Sequence, residues 1–232
     1  MTTVLMVLSG ADHWTLKDGT KHPTGVWAEE FVVPYLAFRD AGWDITVATP
    51  GGRTPTIDQL SLGIAGGAPW KTKQIKEQLE RLRPVLESPV VLADVEADAY
   101  DLVFYPGGHG PMEDLAVDEV SGAILARRLQ QQRPLALLCH APAAMFAARA
   151  EDGSWPFAGY SMTGFSNMEE KVNPFSWKAE WLLETRLKEE GADYSKGLPL
   201  RPHIVQDRAL YTGQNPQSSE ELAKKLIADF GA

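Results

Sequence analysis

The segment Pro134-Leu-Ala-Leu-Leu-Cys139-His140-Ala-Pro-Ala-Ala runs an apolar strand straight into an alanine-rich helix and puts the chain's only thiol at the corner. A sharp strand-to-helix turn of this kind, a nucleophile elbow, holds one side chain out above a sheet. Unpaired amides at the start of the helix favour thiolate over thiol and would stabilise an oxyanion beside it. Cys139 is therefore a candidate nucleophile, expected to be ionised at neutral pH. The histidine that follows it can lie over the sulfur and exchange protons. Taken alone, a single cysteine is usually a small buried apolar residue and a single histidine usually structural. The corner position is what argues otherwise.

A second loop belongs with the first. Pro106-Gly107-Gly108-His109-Gly110 closes the apolar run Tyr100–Tyr105, so it should lie on the same rim of the sheet as Cys139. Its glycines allow backbone amides to approach a ligand closely, as a second arm of an oxyanion hole requires, although a tight turn would use the same residues. It is not a dinucleotide fingerprint, since Glu113 stands where that pattern needs glycine, and no P-loop occurs. The five histidines lack zinc-protease spacing and there is one cysteine, so neither a metal nor a cofactor is expected.

The elements that must carry these loops read as strands alternating with helices. Thr3–Leu8, Asp44–Thr49, Tyr100–Tyr105 and Leu135–Leu138 are short apolar runs closed by turn residues, the pattern of buried parallel strands. Helical spacing spans Gly25–Ala41, where Pro34 should kink or restart the helix, and Val117–Gln132, Cys139–Arg149, Trp177–Glu190 and Ser218–Phe230. Residues 53–98 interrupt the alternation as a helical insertion, with a charged helix around Thr72–Leu86 that Pro84 should end near residue 83. Tyr160–Thr163 reads as a further short strand, and Ile204–Gln206 with Ala209–Thr212 as a terminal pair around Asp207-Arg208. The expected fold class is α/β, a mostly parallel sheet with helices on both faces, in one domain over residues 1–232.

Composition narrows the function. A formal charge of -9 over 232 residues repels phosphate backbones, which makes nucleic acid an unfavourable partner. The run Val4–Leu8 has no basic flank and is too short for a signal-peptide core, and no stretch approaches the ~20 apolar residues of a membrane span. A soluble, cytoplasmic protein acting on a small molecule is the expectation.

Cys139-His140 at an elbow, PGGHG, Thr24-Gly25-Val26-Trp27-Ala28-Glu29-Glu30, and Thr163-Gly164-Phe165 before Glu169-Glu170 together resemble the ThiJ/PfpI (DJ-1) superfamily, and within it the chaperone-like branch with glutathione-independent glyoxalase activity. The similarity extends from the first strand to Gly213-Gln214-Asn215-Pro216. It implies a flavodoxin-like three-layer αβα sandwich, of the class I glutamine amidotransferase-like type. It also implies a glutamate on the first helix whose protonated carboxyl bonds the sulfur. Periodicity does not choose between Glu29 and Glu30; the resemblance assigns Glu30. It makes Glu170 the third member of a Cys139-His140-acid triad, with Glu169 as the competing choice, and Gly108 the oxyanion-hole residue. His109 and Trp27 would line the approach, and segments 151–158 and 172–178 would shape the pocket entrance or a dimer face. A homodimer and a 2-oxoaldehyde substrate such as methylglyoxal follow from the same resemblance. A hydrolase or deglycase acting on amides or glycated adducts is the alternative, as is a non-enzymatic chaperone or redox sensor.

Overall fold

Val4 to Leu8 are wholly buried, which only a strand with partners on both edges and cover on both faces achieves. In the computed structural model, which describes residues 1–173 and 175–231, the strands are β1 (Thr3–Val7), β2 (His13–Thr15), β3 (Lys21–Pro23), β4 (Asp44–Thr49), β5 (Val90–Val91), β6 (Leu102–Tyr105), β7 (Leu135–Leu138), β8 (Ser161–Met162), β9 (Asp193–Tyr194), β10 (Ile204–Asp207) and β11 (Leu210–Gly213). The helices are α1 (Ala28–Asp40), α2 (Pro69–Leu86), α3 (Gly110–Glu113), α4 (Glu119–Gln130), α5 (Asn167–Glu170), α6 (Leu183–Glu189) and α7 (Ser219–Phe230). The main sheet has the order β10-β11-β7-β6-β1-β4-β5 and is parallel except for the β10–β11 pair. Strand order reverses about β1, with β4 on one side and β6 on the other, the kind of point beyond whose strand carboxyl ends ligands bind in such sheets.

Side chains of period two divide the core. Val4, Met6, Leu102, Phe104, Ala136 and Leu138 face α1, α2 and α7, where they meet Phe31, Phe38, Ile75, Leu82, Leu222 and Leu226. Leu5, Val7, Val103, Tyr105, Leu135 and Leu137 face the other way, onto Ile124, Leu125 and Leu129 of α4 and Leu183 and Leu187 of α6. Each such large side chain contributes about 1.5–3 kcal/mol by leaving water. The result is the expected three-layer αβα sandwich, and among the described residues no helix is long and apolar enough to cross a membrane.

Several local expectations are corrected. Pro34 does not break α1, which runs unbroken to Asp40, and α2 continues past Pro84 to Leu86. Proline removes one donor, but Phe38 beyond Pro34 and Leu86 beyond Pro84 are buried and hold the helices in register. The insertion at 53–98 is not purely helical, since β5 extends the sheet beside β4. Trp177–Glu190 is not one helix: a 3-10 turn at Ser176–Lys178 and α6 are separated by extended residues. Ser161–Met162 forms a strand, but in a small separate sheet with β9. Residues 13–23 form the β2–β3 hairpin, for which Asp18-Gly19 at the turn, with Gly19 at φ 79°, is the sequence signal.

Candidate active site

Cys139 leaves β7 with φ +60°, the left-handed conformation that a side-chain-bearing residue adopts only under constraint. Two bonds hold it there: its N–H donates to the Gly213 carbonyl at 2.8 Å, and its own carbonyl accepts from Phe165 N–H at 2.8 Å. The elbow is present, but the expected α-helix after it is a 3-10 helix, Ala141–Ala147. Pro142 sits in its first turn, and the segment is buried so tightly that a Cβ on Gly122 of α4 would lie 2.3 Å from the Ala147 carbonyl oxygen. A short 3-10 turn supplies little macrodipole. The amide that eases ionisation of the thiol comes from Gly108 instead.

Cys139 is 3% exposed, and burial pushes its thiol well above its ordinary pKa. Burial thus works against the thiolate expected in the resting site, because removal from water penalises the anion more than one amide favours it. Ionisation must accompany proton transfer to a neighbour. His140 supplies one, with Nδ1 3.4 Å from Sγ. Burial and the adjacent His109 lower the pKa of His140, so its imidazole rests neutral and can accept a proton.

Glu170 orients that imidazole. His140 Nε2 donates to Glu170 Oε2 at 2.7 Å, leaving Nδ1 as the lone pair that faces sulfur. His109 Nε2 reaches Glu170 Oε1 at 2.9 Å, and Asn173 Nδ2 donates to the same oxygen at 3.2 Å. Although burial opposes it, the two imidazoles hold the Glu170 carboxyl far below the ordinary carboxylate range. His109 is not merely a residue of the approach, then, but a second imidazole on one carboxylate. It stacks on Trp14 at 4.6 Å and lies 4.1 Å from the His140 ring.

Glu30 meets the sulfur from α1. Its Oε2 accepts from Gly107 N–H at 2.8 Å, while Oε1, among the described residues, is buried without a nitrogen or oxygen partner. Burial raises the carboxyl to about 8, so it is protonated at neutral pH and carries a hydrogen for the thiol beside it. The adjacent Glu29 points elsewhere and pairs with Lys71 of α2 at 2.7 Å. Gly107 must be glycine, because a Cβ there would stand 2.8 Å from both Glu30 Oε2 and His140 N. Gly108 is at φ +100°, and a Cβ would meet Gly25 O at 2.3 Å and Trp27 N at 2.6 Å. Trp27 caps the start of α1, donates its N–H to Gly107 O at 3.0 Å, and has its indole Nε1 buried without a partner among the described residues.

Glu169 is the anchor of the neighbouring element. It accepts from Ser166 Oγ at 2.6 Å in a capping box, from Gln214 at 2.8 Å, from Asn215 at 2.7 Å and from Leu200 N–H at 2.9 Å. Trp14 had no signal in the sequence as a site residue; Phe165, whose ring lies 4.5 Å from His140, belongs to the Thr163-Gly164-Phe165 motif, and Asn173 to segment 172–178. Of the two longer segments, 151–158 packs Trp155 on Phe146 and lines a groove beside α4. In 172–178, Asn173 reaches Glu170 and Phe175 packs on His22 at 4.1 Å, and Pro174 lies outside the described residues.

Comparison with known proteins places this arrangement in context. The sequence profile of the DJ-1/PfpI family matches residues 23–229. The chain is 31% identical over 203 residues to the Bos taurus glutamine amidotransferase-like class 1 domain-containing protein 1, covering 88% of this chain and 87% of that protein. It is 28% identical over 239 aligned positions to the protein/nucleic acid deglycase HchA of Staphylococcus aureus, covering 98% and 79%. Its fold superimposes on the crystal structure of glyoxalase III from Candida albicans with a TM-score of 0.84 at 24% identity, covering 99% and 97%.

Proposed function

Since the chain belongs to the DJ-1/PfpI family, we propose that it converts methylglyoxal or a similar small 2-oxoaldehyde to the 2-hydroxy acid, as a glyoxalase III-type lyase needing neither glutathione nor metal. The observation that carries this reading is the pairing of Cys139 Sγ with a proton acceptor, His140 Nδ1 at 3.4 Å, and with a carboxyl, Glu30, that is neutral at physiological pH. The names of the deglycase HchA and of glyoxalase III support the same class of chemistry.

The thiol adds to the aldehyde carbon as His140 takes its proton, and the new alkoxide oxygen receives that proton to give a hemithioacetal. The Gly108 amide faces the sulfur and is the donor best placed to stabilise negative charge there. His140, held by Glu170, then removes the hydrogen from the former aldehyde carbon. An enediol forms, and protonation at the adjacent carbon leaves a 2-hydroxy thioester on Cys139. Water cleaves the thioester, releasing the acid and returning the thiol. The sum is one water added to one oxoaldehyde. Throughout, the Glu30 carboxyl bonds the sulfur without adding a second negative charge.

Cys139→Ala, incubated with methylglyoxal alone, should form no lactate above background while the native protein does. Lactate formation unaffected by the substitution would dismiss the mechanism. The relationship to HchA favours one second reading, a deglycase acting on glycated adducts. Release of an amine from a glycated peptide in the absence of any methylglyoxal turnover would select it instead.

A further inference from the structure

The geometry points to a binding site for a borderline divalent ion, Zn²⁺ or Ni²⁺, formed by Nε2 of His109, Nε2 of His140 and the carboxylate of Glu170, with its occupation switching the enzyme off. The three side chains come from segments about thirty residues apart in sequence, which is why no zinc-ligand spacing is visible in the chain. Their ligand atoms all lie within 4.8 Å of one another, and among the described residues no other group of His, Cys, Asp and Glu converges in this way. Ligands on a zinc ion lie roughly 3.3 Å apart, so the contacts of 2.9 and 2.7 Å, made to the two different oxygens of Glu170, open by about half an ångström while any wider separation within the 4.8 Å set closes.

The surroundings are those of a built site. The three side chains are 13%, 2% and 4% exposed. Trp14 stacked on His109 and Phe165 beside His140 hold the two rings, and Asn173 steadies the Glu170 carboxylate. Two imidazoles and one carboxylate suit zinc or nickel rather than magnesium or calcium, and they leave a coordination position open. The sulfur is not part of the set, since Cys139 faces Nδ1, the opposite edge of the His140 ring.

Ligation has a consequence for the proposed chemistry. To present Nε2 as a lone pair, His140 must carry its ring proton on Nδ1, where it faces the thiol. The base that accepts the Cys139 proton is then gone, and Glu170 is engaged by the ion. Only this loss of turnover rests on the function proposed above; binding itself does not.

The test is calorimetric titration of the chelator-treated full-length protein with ZnCl₂ and with NiCl₂. One ion per chain should bind to the native protein and to Cys139→Ala, and affinity should fall in His109→Ala by more than the ~10–100-fold typical of losing an outer partner. Methylglyoxal turnover should fall as the ion binds and return with a chelator. No binding to the native protein would overturn the site. So would binding that disappears in Cys139→Ala but survives in His109→Ala, which is capture by the thiol, or binding that survives in both, which is capture elsewhere on the acidic surface. Should His109→Ala fail to fold, anomalous scattering from zinc-soaked native crystals decides: a peak between the three side chains supports the site, and a peak elsewhere removes it. Binding is read without turnover, so an inactive protein that binds zinc here refutes the glyoxalase reading and leaves the site standing.

Discussion

At the scale of single residues, the site is governed by which protons stay on. Glu30 is buried and its carboxyl is pushed up to about 8 from an ordinary 4.5. Between those values the folded protein keeps a proton that the unfolded chain has released, so stability falls as pH rises across that window. Glu30→Gln mimics the protonated acid at every pH. Its melting temperature relative to the native protein should therefore rise from pH 5 to pH 8.5, as differential scanning calorimetry would show; an unchanged difference would mean the carboxyl titrates normally. The glutamate doublets show why this residue could not be chosen from sequence. Neighbours on a helix point about 100° apart, so Glu29 reaches Lys71 while Glu30 turns to the Gly107 amide and the thiol, yet both have apolar residues at helical spacing. At 169–170 the same ambiguity is resolved by the hydrogen bonds of Glu169 to Gln214 and Asn215, on the far side from His140.

Among the elements, α5 has little intrinsic stability and one of the most exacting tasks. Four residues make too short a helix to stand alone. The Ser166 capping box and the donors converging on buried Glu169 tie it to the turn after β11 and to Leu200, and thereby fix Glu170 against two histidines. Glu169→Gln replaces an acceptor with an amide whose NH₂ group confronts those donors. It should cost about 2–3 kcal/mol in urea unfolding, and lower kcat for methylglyoxal more than it raises KM. A loss of stability with kcat intact would reduce Glu169 to a purely structural role. The elbow illustrates the complementary point. Cys139 and β7 were legible from an apolar run that ends at a thiol, but the 3-10 geometry after it was not. Alanine content favours an α-helix, and only burial against α4 imposes the tighter turn.

Across the whole molecule, charge and burial act together on substrate choice. The formal charge of -9 repels a polyanion, and a thiol on a residue only 3% exposed is hard to reach for a group fixed to a polymer. Glycated DNA should be turned over far more slowly than free methylglyoxal, with lactate and released base followed side by side at low and at moderate salt. Comparable rates on both would contradict the small-molecule reading. By itself the sequence determined the alternation of strands and helices, the sandwich they build, and the rim where chemistry must occur, because apolar periodicity and turn residues are local properties of the chain. It also singled out Cys139, His140 and PGGHG, since their residue types are distinctive wherever they stand. Only the tertiary structure decided that burial opposes the thiolate, which glutamate of each pair faces the site, and that His109 shares Glu170 with His140. Those outcomes depend on burial and on distances between loops remote in the chain, and neither exists until the sheet is assembled.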